Sequence, residues 1–154
     1  MRRGKPLRRT PLKRGTSQLK RSPLKPRSDK MKAKYVDRRS LVEEMLEAEP
    51  TCKACLIFAA YEGTQGVVRL NYTRDIHELV NRSQGGSILE RDNLIAVCRP
   101  CHTRITIRPK QAEELGLHLE SWCNSKEHFE EAARVRSEWM NGRAAKPYWM
   151  EEDE

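Results

Sequence analysis

Apolar positions are sparse over the first 34 residues and then gather into short periodic runs. In YVDRRSLVEEMLEAEP, Leu41, Val42, Met45 and Leu46 fall near one helical face, and Pro50 closes the helix. Order is expected to begin near Ala33. TCKAC, residues 51–55, follows as a tight knuckle. LIFAAYEGTQGVVRLNY, residues 56–72, reads as two short strands around a Gly-containing turn. Residues 74–80 are a strand candidate, NRSQGGS is a loop, and residues 93–97 are a second strand or extended run. From Cys98 the pattern turns helical. Residues 109–115 suit another short helix, ended by Gly116. In SKEHFEEAARVRSEWMNG, Ser125 is a candidate N-cap and Gly142 a stop. Phe129, Ala133 and Met140 form a thin stripe there, broken by Arg136, so this helix is expected to pack weakly. Trp122, Trp139 and Trp149 are expected in core packing. The sum is an α+β chain.

Charge divides the molecule. Of the 154 residues, the first 34 hold 14 Lys or Arg and one acid, Asp29; the other 120 hold 16 Lys or Arg and 21 acids. The excess of positive charge therefore sits in the leading segment, and a polyanion such as nucleic acid is the expected partner. That segment repeats itself, with TPLK at residues 10–13 and SPLK at residues 22–25, and carries four prolines. It is expected to be a disordered arm, with Arg8, Arg9, Lys13, Arg14, Lys20, Arg21 and Lys25 placed to contact DNA phosphates. The expected organisation is an arm over residues 1–34, one small domain over 35–116, and a helical extension with an acidic tail over 117–154. No run approaches the roughly 18 apolar residues of a membrane span, and no apolar segment follows the N-terminal charge. A reducing, cytoplasmic compartment is the expectation, where paired cysteines serve metals more often than disulfides.

Cys52-Lys-Ala-Cys55 and Cys98-Arg-Pro-Cys101 are two C-x-x-C pairs with 42 residues between them. Two such knuckles complete a tetrahedral four-thiolate site, typically structural zinc. A core this small gains from such a staple. Cys123 has no sequence partner and is expected to be a buried thiol. Zinc accounts for the cysteines but not for His77, which lies between Asp75 and Glu78, or His102, which follows Cys101. Imidazoles and a carboxylate are the donors of a second, open metal site.

This stretch resembles the HNH endonucleases of the ββα-metal superfold, in the subgroup with a four-cysteine zinc. The residues that carry the likeness are Cys52 and Cys55, the His77-Glu78 region, Gly85-Gly86, Asn93-Leu94, and Cys98-x-x-Cys101-His102. Asn93 lies five residues before Cys98 and nine before His102, the family's usual spacing. The likeness spans residues 51–107. Its GGSIL…N…CRPCH form behind a basic Pro-Leu-Lys arm is most similar to small bacteriophage nucleases, especially those of actinobacteria.

The resemblance implies metal-dependent hydrolysis of DNA in a bacterial host cell, with a structural zinc and a catalytic Mg2+, Mn2+ or Zn2+. It makes His102 a metal ligand and Asn93 the residue that orients the base. Gly85 and Gly86 would let the loop between the strands turn close to the site. At the first strand the family usually reads Asp-His or His-His, and this chain departs from it. Counting back from Gly85 makes His77 a ligand and Glu78 the base, the preferred register. A second register makes His77 the base and Asp75 a ligand. Among the nearby arginines, Arg104 is the one assigned to substrate. Two alternatives stand beside the nuclease. One is a zinc-stabilised DNA-binding module of the same fold without turnover. The other is a scaffold for phage DNA-packaging or replication proteins.

Overall fold

The computed structural model describes residues 26–150. Within them lie five α-helices and a two-stranded antiparallel sheet, an α+β arrangement. The arm residues expected to contact DNA, Arg8, Arg9, Lys13, Arg14, Lys20, Arg21 and Lys25, lie outside the described residues.

Helix α1, Asp29–Ala48, starts four residues earlier than expected, so residues 29–34 belong to a helix rather than to the arm. Ser28 supplies the reason: its hydroxyl accepts the Met31 N–H at 3.4 Å, and Asp29 sits in the first turn. The expected apolar face appears only in the second half, where Met45 is buried and Leu41, Val42 and Leu46 are half-buried. The chain then enters the first cysteine knuckle, pinned to a later segment. Cys52 N–H donates to the Asn71 carbonyl at 2.9 Å, and Thr73 N–H to that of Pro50 at 3.0 Å.

The two strands expected over residues 56–72 are not present. Helix α2, Lys53–Tyr61, takes their first half. Ala54, Ile57 and Phe58 follow the i, i+3, i+4 rule and are buried together. A short apolar run fits a strand or a buried helix equally, and here the core faces one side of it only. The second half holds one helical turn, Gln65–Val67; Val67, Leu70 and Tyr72 are exposed, and one bridge joins Tyr72 to Thr51.

Strand β1, Asp75–Glu78, pairs with β2, Leu94–Val97, with His77 opposite Ile95 and Glu78 opposite Leu94. Both lie inside the expected runs. Helix α3, Arg99–Ile107, and helix α4, Pro109–Glu114, follow as the pattern indicated. Gly116 ends the pair at φ 66°, where a Cβ would stand 2.5 Å from the Ala132 carbonyl oxygen.

Helix α5, Lys126–Met140, does not pack weakly. Its buried face is Phe129, Ala132 and Val135, one residue round from the expected stripe, and it lies against α2. Arg136 is on that side too, because its guanidinium donates to the Gly116 carbonyl at 2.5 Å; burial pulls its pKa down to about 10. One core joins α2, β2, α3 and Leu117 around the cysteines. A second joins Leu79, Val80, Leu119, Cys123, Phe129 and Ala132, and Ile95 touches both. Trp139 packs on the first core and Trp149 on the second, whereas Trp122 is exposed against expectation, with its indole N–H on Glu120. Among the described residues no helix is long and apolar enough to cross a membrane.

Candidate active site

The two C-x-x-C pairs are built alike. Cys52 is the N-cap of α2 and Cys55 lies in its first turn; Cys98 caps α3 and Cys101 lies in its first turn. Each knuckle therefore sits at a helix N-terminus, whose partial positive charge favours thiolates. The four sulfur atoms lie within 4.8 Å of one another. Cys55 Sγ is 3.6 Å from that of Cys101 and 3.8 Å from that of Cys98, and none is in a disulfide. The neighbouring Cys101 thiol pulls the Cys52 thiol down to about 5; the same proximity and burial push Cys101 up. Four thiols this close resist losing all their protons unless a cation offsets the charge. The donor set, its closure and its burial fit a metal such as zinc. Asn71 adds an outer contact, its amide 3.8 Å from Cys55 Sγ.

The second knuckle aims His102. Its backbone N–H bonds to the Cys98 carbonyl at 2.9 Å, and its ring crosses from α3 to β1. There Nδ1 stands 3.4 Å from Asp75 Oδ2, and the ring centroid is 5.2 Å from that of His77. Asp75 and His77 share a strand face because they are two apart. His77 is 5% exposed. Its ring donates to the Leu117 carbonyl, while Nε2 is buried without a partner. Burial, then the nearby His102 and His118, push its pKa down to about 3, so the ring is neutral. With Nε2 unpartnered, Nδ1 is the ring nitrogen left to face Leu117, and a proton there leaves a lone pair on Nε2. Among the described residues, no second group of three or more such donors closes as tightly as the cysteines.

His118 joins the site without a sequence motif. It lies 41 residues after His77. Leu119 N–H donates to the Leu79 carbonyl at 2.8 Å, which lays residues 117–119 along β1 and brings the His118 ring to 6.4 Å from His77. The sequence marks histidine only by its scarcity, four in 154 residues, and the structure brings three of them together here.

Glu78 points the other way, as the strand period requires. It is buried, with Oε1 2.8 Å from Arg38 and Oε2 3.1 Å from Arg82. Asn93 is fully buried. Its Oδ1 accepts the Val80 N–H at 2.7 Å, and its Nδ2 donates to the carbonyls of Val80 and Ser87 at 3.2 and 2.9 Å. It touches the loop after β1 rather than either imidazole. Gly85 turns that loop at φ 93°, and a Cβ on Gly86 would overlap the Val80 carbonyl oxygen. Arg104, two residues past His102 and thus across the helix, faces α2: it stacks on Phe58 at 4.0 Å and pairs with Glu62 at 2.8 Å. Arg99 instead reaches Asp75 Oδ1 at 2.9 Å.

No family model, curated protein or solved structure matches this chain. A cavity of about 440 Å³ between α1, α2, β2 and α5 contains none of the histidines. The functional reading therefore rests on the geometry of the cysteine and histidine groups.

Proposed function

We propose that the chain is a metal-dependent HNH endonuclease that hydrolyses DNA phosphodiester bonds, stapled by zinc on Cys52, Cys55, Cys98 and Cys101. The observation that carries the reading is His77: a buried neutral imidazole with an unpartnered Nε2, set beside the Asp75–His102 pair on a strand-strand-helix frame. A structural histidine in a core normally has both nitrogens satisfied.

The side-chain directions support the register with His77 as general base. Asp75 and His102 are then the residues that would hold the divalent ion. Their 3.4 Å separation is long for a charge-assisted hydrogen bond. It leaves both groups available as ligands of one divalent ion. When bound, that ion would polarise the scissile phosphate and stabilise the leaving oxygen. His77 Nε2 takes the proton from the attacking water, and the Leu117 carbonyl keeps the ring in the tautomer that can do so. Asn93 acts one step back, by fixing the loop that follows β1.

One contact favours the second reading, a DNA-binding module without turnover. Arg99 occupies Asp75 Oδ1, which offsets the charge an incoming cation would use. Plasmid cleavage with Mg2+, Mn2+, Zn2+ or EDTA separates the two. Metal-dependent nicking that His77→Ala and His102→Ala each abolish supports the nuclease. DNA shifted in a gel but never cut with any metal would select the binding module.

A further inference from the structure

The notable feature outside the histidine group is the network around Glu78. Its carboxylate bridges two elements: Arg38 of α1 through Oε1 and Arg82 of the loop through Oε2. Both arginines are used again. Arg38 donates to the Ile88 carbonyl at 2.8 Å, and Arg82 to the Tyr35 hydroxyl at 2.8 Å. Arg27 stacks on the Tyr35 ring at 4.3 Å. Residues 27, 35 and 38 all come from the first part of α1 or just before it. The side chains of Arg38 and Glu78 are 14% and 9% exposed, so this is a largely dry ion pair.

Those contacts hold the first half of a helix, which packs on little else. Between residues 26 and 40 no side chain is fully buried. A polar helix of this kind is marginal alone and calls for tertiary anchors or a partner. Its charge names the partner. Residues 26–39 hold six Lys or Arg against two acids, and Lys30, Lys32, Lys34 and Arg39 are all exposed. This helix also follows directly on a segment with ten Lys or Arg and no acid over residues 1–25.

Resting on the nuclease reading above, we infer that α1 is a duplex-DNA-binding helix and that Glu78 is the clamp that docks it beside the cleavage residues. Glu78 is thus a positioning residue. Both its oxygens hold guanidinium groups on the strand face opposite His77, so it has no free oxygen for a water on the histidine side. Breaking the clamp leaves a buried charge unpaired and lets the first turns of α1 swing from the sheet. DNA would then be held less well, while His77 and His102 stay in place.

The test uses the full, zinc-loaded chain. Steady-state cleavage of a short duplex is measured together with its Kd by fluorescence anisotropy. The variants are Glu78→Gln, Arg38→Gln, Arg82→Gln, Glu78→Gln with Arg38→Gln, and the triple Lys30→Gln, Lys32→Gln, Lys34→Gln. Each clamp variant is expected to raise KM and Kd about tenfold with a kcat loss under about threefold, and the double to be no worse than the worse single. The lysine triple should weaken binding and make its salt slope shallower by about 3. A fall in kcat of about a hundredfold in Glu78→Gln with unchanged Kd would overturn the inference and return Glu78 to proton transfer. Unchanged Kd in the lysine triple would remove α1 from the interface. Arg82→Gln, at a half-exposed residue, decides the clamp if Glu78→Gln does not fold. A wild type that cuts nothing defeats the nuclease reading alone, since the anisotropy measurements still test the clamp.

Discussion

Asn93→Ala offers the sharpest test of what the buried asparagine does. The residue is fully buried, and its amide closes both backbone groups of Val80, at 2.7 and 3.2 Å, and the Ser87 carbonyl at 2.9 Å. Alanine removes all three bonds. Ser87 is exposed, so water can replace its partner. Val80 is fully buried, so its N–H and C=O lose theirs outright. Each orphaned buried group costs about 1–3 kcal/mol, which gives about 4 kcal/mol for the two. Against a typical domain stability of about 5–15 kcal/mol, that is a fall in Tm of roughly 15 °C. Asn93→Asp should cost at least as much, because it sets a carboxylate oxygen against two carbonyls. Urea unfolding of the zinc-loaded protein, followed by circular dichroism at constant m, measures both. A loss below about 1 kcal/mol would refute the reasoning. A variant as stable as wild type that no longer cut DNA would put Asn93 at the chemistry instead.

Three further outcomes follow from the same geometry. Imidazole 15N spectra should show His77 neutral and Nδ1-protonated at pH 5, where an ordinary histidine is charged; a titration of His77 near 6.5 would contradict the buried site. The sign is that of a depressed base: below about 6.5 the unfolded chain takes up a proton that the folded ring refuses until about pH 3. The stability His77 contributes is full above that range and is lost as pH falls through it. The protein should carry one zinc per chain on the cysteines, and chelation or Cys101→Ser should unfold the core around α2 and α3; an unaltered melting curve after metal removal would reject a structural role. Gly86→Ala should destabilise by about 3 kcal/mol or more, because its Cβ meets the Val80 carbonyl, whereas Gly85→Ala should cost only about 1 kcal/mol for its positive φ; equal effects would refute the close approach.

Much of the local structure was legible in the sequence, for reasons that act locally. The strand runs around His77 and residues 94–97, the stops at Gly116 and Gly142, and the two cysteines within each C-x-x-C knuckle depend on neighbours a few positions apart. Boundaries failed where a cap decided them, as Ser28 did for α1. The sequence of α2 suits a strand as well as a helix because a continuous apolar run has no period that separates the two. The packing of α5 differs from its sequence pattern because Arg136 interrupts the apolar stripe, and the Gly116 carbonyl that receives it comes from across the fold.

The candidate site divides the same way. The sequence by itself determined which residue types gather near the second knuckle, since Cys98, Cys101 and His102 share one helical turn and Asp75 and His77 one strand face. Tertiary structure alone decided their partners. It turned Glu78 into a doubly paired anchor, set Asn93 on the Val80 backbone and carried Arg104 to the α2 side. It also brought His118 beside His77 from 41 residues away. Spacing along a chain fixes direction only within one element, whereas hydrogen bonds and burial between elements settle which donors meet and which nitrogen is left free.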